Sequence, residues 1–306
     1  RPDVIILVET EIWPNFVLQA KARNIPLILA NGRISDRSFP RYRMARKFLP
    51  PILDAIADYC MQSEQDSRRI RHLGAPTGRV RVTGNLKFDM QPPQIDSGEL
   101  AALRSQLRLP GNARIWVAGS THDGEEAQVA EVYQRLRKIC PELFLILVPR
   151  HPERCRQVQD DLGKQNIATT LRSTLAEMRK DLQPGEILIV DTLGEVLKFY
   201  ALSELVFVGG SLVDIGGHNI LEAAVLKKPV MYGSHMQNFK EIARLVRAAH
   251  AGLQVKNADD LYRQMRILIE NPDEAIRIGE NGHYLLEQNQ GATQRTLEVI
   301  DRRMLS

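Results

Sequence analysis

Leu143-Phe-Leu-Ile-Leu-Val148 is apolar at every position. A strand wetted on one face alternates polar and apolar side chains, whereas an unbroken apolar run is buried on both, as in a parallel sheet covered by helices. Comparable short β-rich runs bounded by turn residues recur at 4–8, 27–29, 59–62, 79–83, 115–118, 187–190, 205–208, 230–232 and 253–255, with helical periodicity between most of them. This alternation predicts an α/β chain built on parallel sheets.

With 306 residues, and about 150 residues per domain, two domains are expected. Met90-Gln-Pro-Pro-Gln-Ile-Asp-Ser-Gly98 has the proline and polar content of a linker, and the helical pattern of 99–108 follows it. The boundary is therefore placed near residue 93, giving domains 1–92 and 93–306. Only about four strands precede it, against the five or six of a doubly wound sheet. The chain also opens on Arg1-Pro-Asp, without an initiator Met, directly before a buried strand. The first domain reads as incomplete, the C-terminal part of a longer one.

Apolar residues make up 43% of the chain and charged residues 25%, which excludes the disordered and low-complexity classes. No run approaches the roughly 18 apolar residues of a membrane span, and no leader pattern opens the chain. Cys60, Cys140 and Cys155 form no Cys-x-x-Cys pair, so a reducing compartment is expected and structural zinc is not. The charge is unevenly spread: residues 1–90 hold 15 Lys or Arg and 9 Asp or Glu, the remainder 26 and 28. Arg33, Arg37, Arg41, Arg43, Arg46 and Lys47 meet one acid, Asp36, between positions 33 and 47. A solvated face mixes signs, so this segment points to an anionic partner.

Ligands of open parallel sheets bind beyond the carboxyl ends of the strands. Four such junctions stand out: Gly119-Ser-Thr-His-Asp-Gly124, Pro149-Arg-His-Pro-Glu-Arg154, Asp191-Thr-Leu-Gly-Glu195 and Gly209-Gly-Ser-Leu-Val-Asp-Ile-Gly-Gly-His-Asn219. Each is expected to end at a helix N-terminus, where backbone N–H groups and the dipole attract anions. Gly216 and Gly217 would let a phosphate touch the backbone, His218 and Asn219 add donors, and Glu222 lies one turn into the helix. Asn219-x-x-Glu222 also reads as a capping box, and for Thr192-x-x-Glu195 capping is the simpler reading. Arg150, His151 and Arg154 gather three cations about a helix start marked by Pro152; a structural cap needs none of them, so anion binding is expected. There is neither a His-x-x-x-His pair nor an Asp-x-Asp to suggest a metal.

In the first domain, Glu9 and Glu11 follow a buried strand on alternate positions, so one carboxylate could enter a cleft; both also suit a helix N-terminus. Phe39, Tyr42 and Leu49 interleave with Arg37, Arg41, Arg43, Arg46 and Lys47. A helix with aromatic and cationic faces fits a membrane headgroup region, and a basic helix anchored by its aromatics is the plainer alternative.

Together with Asn31-Gly-Arg-Ile-Ser-Asp-Arg-Ser38, Thr83-Gly-Asn-Leu-Lys-Phe-Asp89, Glu9-Thr-Glu-Ile-Trp-Pro-Asn15 and Asn238-Phe239, these junctions occur in the order and spacing of a known family up to about residue 245. The sequence resembles the Kdo (3-deoxy-D-manno-octulosonic acid) transferases of lipopolysaccharide biosynthesis. The resemblance implies a GT-B glycosyltransferase of two Rossmann-like domains, with a C-terminal helix that can return to the first. It implies inverting transfer of Kdo from CMP-Kdo to the lipid A precursor, lipid IVA, with no metal or other cofactor and no nucleic acid. The work would be done at an anionic membrane surface, the cytoplasmic face of the bacterial inner membrane, with an upstream anchor.

By the same resemblance, CMP-Kdo is held by Gly119, Ser120, Thr121, Arg150, His151, Pro152, Thr192, Gly194, Glu195, Gly216, Gly217, His218, Asn219, Glu222 and Asn238. Glu9, Glu11, Arg33 and Lys87 support the cleft from the first domain, and Arg37, Arg41, Arg43, Arg46 and Lys47 meet lipid or acceptor phosphates. The base, a glutamate of a Gly-Glu motif, is expected upstream of Arg1, so that the chain alone should bind donor and transfer poorly. Gly32, Asp214, Ile220, Ala223 and Cys155 depart from the family's usual residues without removing an assigned polar group. The alternatives are a GT-B enzyme or epimerase using a UDP-sugar and, from another class, a basic α/β protein that binds nucleic acid through residues 33–47.

Overall fold

The computed structural model describes residues 2–9, 12–177 and 181–304. The chain forms two compact units, 1–90 with 287–306, and 91–286. In the first, β1 (Ile5–Val8), β2 (Leu27–Gly32), β3 (Asp58–Met61) and β4 (Val80–Val82) make a parallel sheet in sequential order. The crossovers are α1 (Pro14–Ala22), α2 (Ser38–Met44) with α3 (Pro50–Asp54), and α4 (Glu64–Leu73). Every residue of β2 and β3 is buried, the polar Asn31 and Asp58 together with the apolar runs beside them. Ser63 caps α4 by accepting from the Asp66 N–H at 3.1 Å.

The second face of this sheet is covered by α13 (Ala292–Met304), which lays Val299 and Ile300 on Ile28 and Cys60. Buried Asp58 anchors the helix, taking Arg303 Nη2 at 2.8 Å and Arg81 Nη1 at 2.7 Å on its two oxygens. At the other end, Asp89 accepts from the backbone of Gly291 at 2.7 Å and of Thr293. Burial pushes the Asp89 carboxyl up, but the bonds from Thr293, Gly291 and Ala292 outweigh it and hold it below its usual range.

The second unit opens with α5 (Ser97–Gln106), started by a capping box in which Asp96 Oδ1 accepts from the Glu99 N–H at 2.7 Å. Its sheet, wholly parallel, comprises β5 (Arg114–Thr121), β6 (Leu143–Pro149), β7 (Thr169–Leu171), β8 (Ile187–Ile189), β9 (Leu205–Val208), β10 (Val230–Tyr232) and β11 (Leu253–Gln254). Helices α6 (Glu125–Leu136), α7 (Cys155–Lys164), α8 (Val196–Leu202), α9 (Leu221–Ala224), α10 (Lys240–Ala248), α11 (Ala258–Glu270) and α12 (Pro272–Asn289) complete it. The order β11-β10-β9-β5-β6-β8-β7 has the chain lay β6, β7 and β8 on one side of β5, with β8 between β6 and β7, and then cross to the other side at β9. The switch point is therefore the β5/β9 edge, where Gly119 pairs with Val208. β7 is absent from the sequence-level strands: Thr169-Thr-Leu171 lies on the sheet's rim and lacks the apolar run that marks a strand buried on both faces.

Candidate active site

Glu125, in the first turn of α6, is fully buried and accepts four backbone N–H groups. His122 and Gly210 donate to Oε2 at 3.0 and 2.6 Å, Ser211 and Leu212 to Oε1 at 3.0 and 2.8 Å. One carboxylate thus ties the loop after β9 to the turn after β5. The N–H groups of Gly210 to Leu212, which a glycine-rich loop would offer to phosphate, are taken by the protein's own anion.

Above this clamp three histidines converge from three junctions. His122 Nε2 lies 2.7 Å from His218 Nε2, with ring planes 7° apart. His151 stands edge-on to His122, ring centroids 5.6 Å apart. Burial chiefly depresses His218, to about 4, with His122, Arg150 and His151 adding to the effect. Burial lowers His122 too, helped by His151, Arg154 and Arg150 and opposed by Glu125. Ser120 sits at φ 54 where the β5–β6 register shifts, a strained position beside the cluster. Adjacent Thr121 is buried, and its carbonyl accepts from the exposed Arg150 N–H at 3.0 Å.

The three-cation reading of the His-Pro segment needs correction. Arg154 binds buried Glu126 at 3.0 Å and Asp123 at 3.2 Å, because a carboxylate out of water needs a countercharge. Arg150 and His151 act on both His122 and His218, whereas Arg154, held by its two acids, still acts on His122. Pro152 opens a short 3-10 turn, Pro152–Arg154, and His151 Nδ1 lies 3.5 Å from Glu153.

The helix-start reading also changes at two places. Ser120 belongs to β5, and α6 begins at Glu125 with its own acids in the first turn. α9 is a single turn with Ile220 as N-cap, too short for a sizeable dipole, and its capping box does not form: Asn219 Oδ1 accepts from Leu221 N at 3.3 Å. Glu222 is half-buried; burial raises its carboxyl, while Arg150 and a hydrogen bond with Asn219 oppose the rise. At Thr192-x-x-Glu195 there is no capping box either, since α8 starts after Glu195. Thr192 instead bonds the Glu195 carboxylate, Arg172 lies 3.7 Å from it, and Gly194 is exposed between them.

The glycines do structural work. A Cβ on Gly119 would lie 2.0 Å from Tyr200 Oη, so its absence lets the buried tyrosine pack. Gly217, at φ 75, gives its N–H to Gly210 O at 2.7 Å, and a Cβ there would meet Met236 Sδ at 2.3 Å. Gly216 accepts from the Asn238 N–H at 2.9 Å, which seats exposed Asn238 beside it.

In the first unit, the carboxyl ends of the strands gather a second group. Lys87 Nζ lies 2.6 Å from Glu9 Oε1, and Glu9 has φ 63. Asn31, buried at φ 53, accepts from the Leu86 N–H at 3.1 Å, joining the Asn31 and Thr83 motifs; half-buried Arg33 follows. Glu11 lies outside the described residues. Arg37, Arg41, Arg43, Arg46 and Lys47 are all exposed. The aromatic partners differ from those expected: Phe39 and Leu49 pack on the core, whereas Met44 and Phe48 are 81% and 77% exposed among the cations, beside Tyr42. Among the described residues, no helix is long and apolar enough to cross a membrane.

The residue that organises the site, Glu125, carries no signal in the sequence, where it is one more acid in a helical first turn. His122 lies within a quoted motif but earns no role from spacing, because its partner is 96 residues away.

Residues 1–90 match the family model described as 3-deoxy-D-manno-octulosonic-acid transferase (kdotransferase). The 3-deoxy-D-manno-octulosonic acid transferase of Haemophilus influenzae is 36% identical over 301 residues, 98% of this chain and 69% of its own length. The chain belongs to the Kdo transferase family. Its fold is that of the GT-B glycosyltransferases and related epimerases. The crystal structure of the C-terminal CMP-Kdo binding domain of WaaA from Acinetobacter baumannii aligns with TM-score 0.56 and 31% identity, over 62% of this Kdo transferase chain and 96% of that domain. A UDP-GlcNAc 2-epimerase from Neisseria meningitidis aligns with TM-score 0.63 at 16% identity, over 98% of this chain and 76% of its own, a likeness of fold alone.

Proposed function

We propose that the chain works as a Kdo transferase of lipopolysaccharide biosynthesis, with its second unit holding CMP-Kdo and the lipid A precursor as acceptor. The observation that carries this reading is the cationic, histidine-lined switch point of a unit similar to a CMP-Kdo binding domain. Transfer requires an acceptor hydroxyl to lose a proton, the sugar to pass through an oxocarbenium-like state, and the departing CMP to have its charge stabilised. Arg150, His151 and the His122–His218 pair serve the last need without calling on a metal. Glu222 takes ribose hydroxyls, and Ser120, Thr121, Thr192, Glu195 and Asn238 frame the nucleotide. On the acceptor side, Glu9 with Lys87 and Arg33 meets the hydroxyl and phosphates of the acceptor. The exposed cations and apolar side chains of residues 37–48 rest on the anionic cytoplasmic face of the membrane.

Titration with CMP and UMP tests this reading. CMP should bind the more tightly, and Arg150→Ala should weaken it by about 10- to 100-fold, the worth of a charge-assisted contact. Equal affinity for the two nucleotides, or none for CMP, would sink the donor assignment.

A further inference from the structure

A neutral imidazole has one N–H and one lone pair, so two Nε2 atoms 2.7 Å apart can bond only if one carries a proton and the other does not. With both protonated, the two N–H bonds would confront each other and need a common acceptor. The surroundings keep that second proton away. His122 faces His151, Arg150 and Arg154, with Glu125 the opposing acid; His218 faces His122, Arg150 and His151. Glu125 is spent on four backbone N–H groups. Glu222 interacts with Arg150 and bonds Asn219. An anion would reverse this balance: it supplies the missing acceptor and offsets the neighbouring cations at once.

We propose that His122 and His218 form a proton-coupled phosphate seat. A phosphate entering at the two Nε2 atoms replaces the His–His hydrogen bond, and the ring that had accepted keeps its own proton on Nδ1 and takes a second from solvent on Nε2, so that both rings donate and one is an imidazolium facing the anion. This deepens the CMP-Kdo reading and rests on it. When the bond from the sugar's anomeric carbon to the phosphate oxygen breaks, its electron pair stays on that oxygen, and both ring protons remain in place as donors. The extra proton returns to solvent when CMP leaves.

The test is calorimetric titration of the whole chain with cytidine 5′-(methyl phosphate), a phosphodiester like the donor that does not itself titrate near neutral pH. In two buffers of different ionisation enthalpy, the apparent heats should differ by the uptake of about one proton, and affinity should rise up to about tenfold per unit as pH falls from about 8 to about 6. His122→Asn and His218→Asn, on separate loops, should each abolish the buffer dependence and flatten the pH profile, whereas His151→Asn should retain both. Binding by the wild type with equal heats in both buffers overturns the proton-coupled seat and leaves the donor-site reading standing. Loss of the uptake in His151→Asn overturns the assignment to the pair. No binding of the ester by the wild type overturns the seat and the donor site together.

Discussion

Glu125 accepts four backbone N–H groups on its two oxygens, and that makes it sensitive to a change as small as one atom. In Glu125→Gln an amide would face backbone N–H groups where an oxygen now accepts, leaving buried donors unsatisfied. The expected loss is about 3 kcal/mol, read as a lower urea midpoint, together with weaker CMP binding. At Gly119, alanine would drive a methyl into Tyr200 Oη; the resulting destabilisation should be partly relieved by Tyr200→Phe, because the ring carbon behind the hydroxyl is still only 2.7 Å from the new Cβ. His218 sets a pH dependence. Its ring is lowered to about 4 in the fold from the usual 6.5, so the unfolded chain protonates first as pH falls. Its contribution is whole above about 6.5 and lost progressively toward about 4. Urea midpoints across that window should fall with pH, less steeply in His218→Asn.

At the level of elements, α13 is a part of the first unit's core supplied from the far end of the chain. Its apolar contacts fall on Ile28 and Cys60, and Asp58 receives Arg303 beside Arg81. Cys60 is buried, and burial pushes its thiol up to about 11, with Asp58 adding to the effect. Labelling by a thiol reagent should therefore be slow. Val299→Asp, which puts a charge into that contact, should loosen the helix and speed the labelling of Cys60, while Cys140 and Cys155 in the second unit keep their native rates. Uniform acceleration of all three would indicate that the helix is not a separate locking element.

Across the whole molecule, charge divides as the units do. The excess of cations in residues 1–90 is not offset by the last twenty residues, which carry three basic and three acidic side chains and belong to the same unit. Exposed Met44 and Phe48 among Arg37, Arg41, Arg43, Arg46 and Lys47 add apolar area to the cationic surface. Each cation near an anionic bilayer adds about 1 kcal/mol of attraction, screened by salt. Cosedimentation with acidic vesicles should exceed that with neutral ones, fall with added salt, and drop sharply when Arg41, Arg43 and Lys47 are changed to Ser. Indifference to vesicle charge would remove the membrane role.

Apolar runs and their turn residues already marked the inner strands of both parallel sheets, because a strand buried on two faces has no polar positions to hide its signal; the edge strand β1 gave the same signal yet leaves Ile6 and Val8 44% and 50% exposed, and β7, a three-residue edge strand with two threonines, gave none. The junction motifs marked the carboxyl ends of β5, β6, β8 and β9, since glycines, His-Pro and clustered cations are local features. What each motif residue touches was decided only in three dimensions. Arg154 went to Glu126, Thr192 to Glu195, and Gly119 and Gly217 to the packing of Tyr200 and Met236. His122 met His218 because the sheet reverses its direction of growth between β5 and β9, bringing together two turns that are distant in the chain. Spacing along a sequence encodes helix faces and strand alternation, whereas a contact across a switch point depends on strand order, which no local pattern contains.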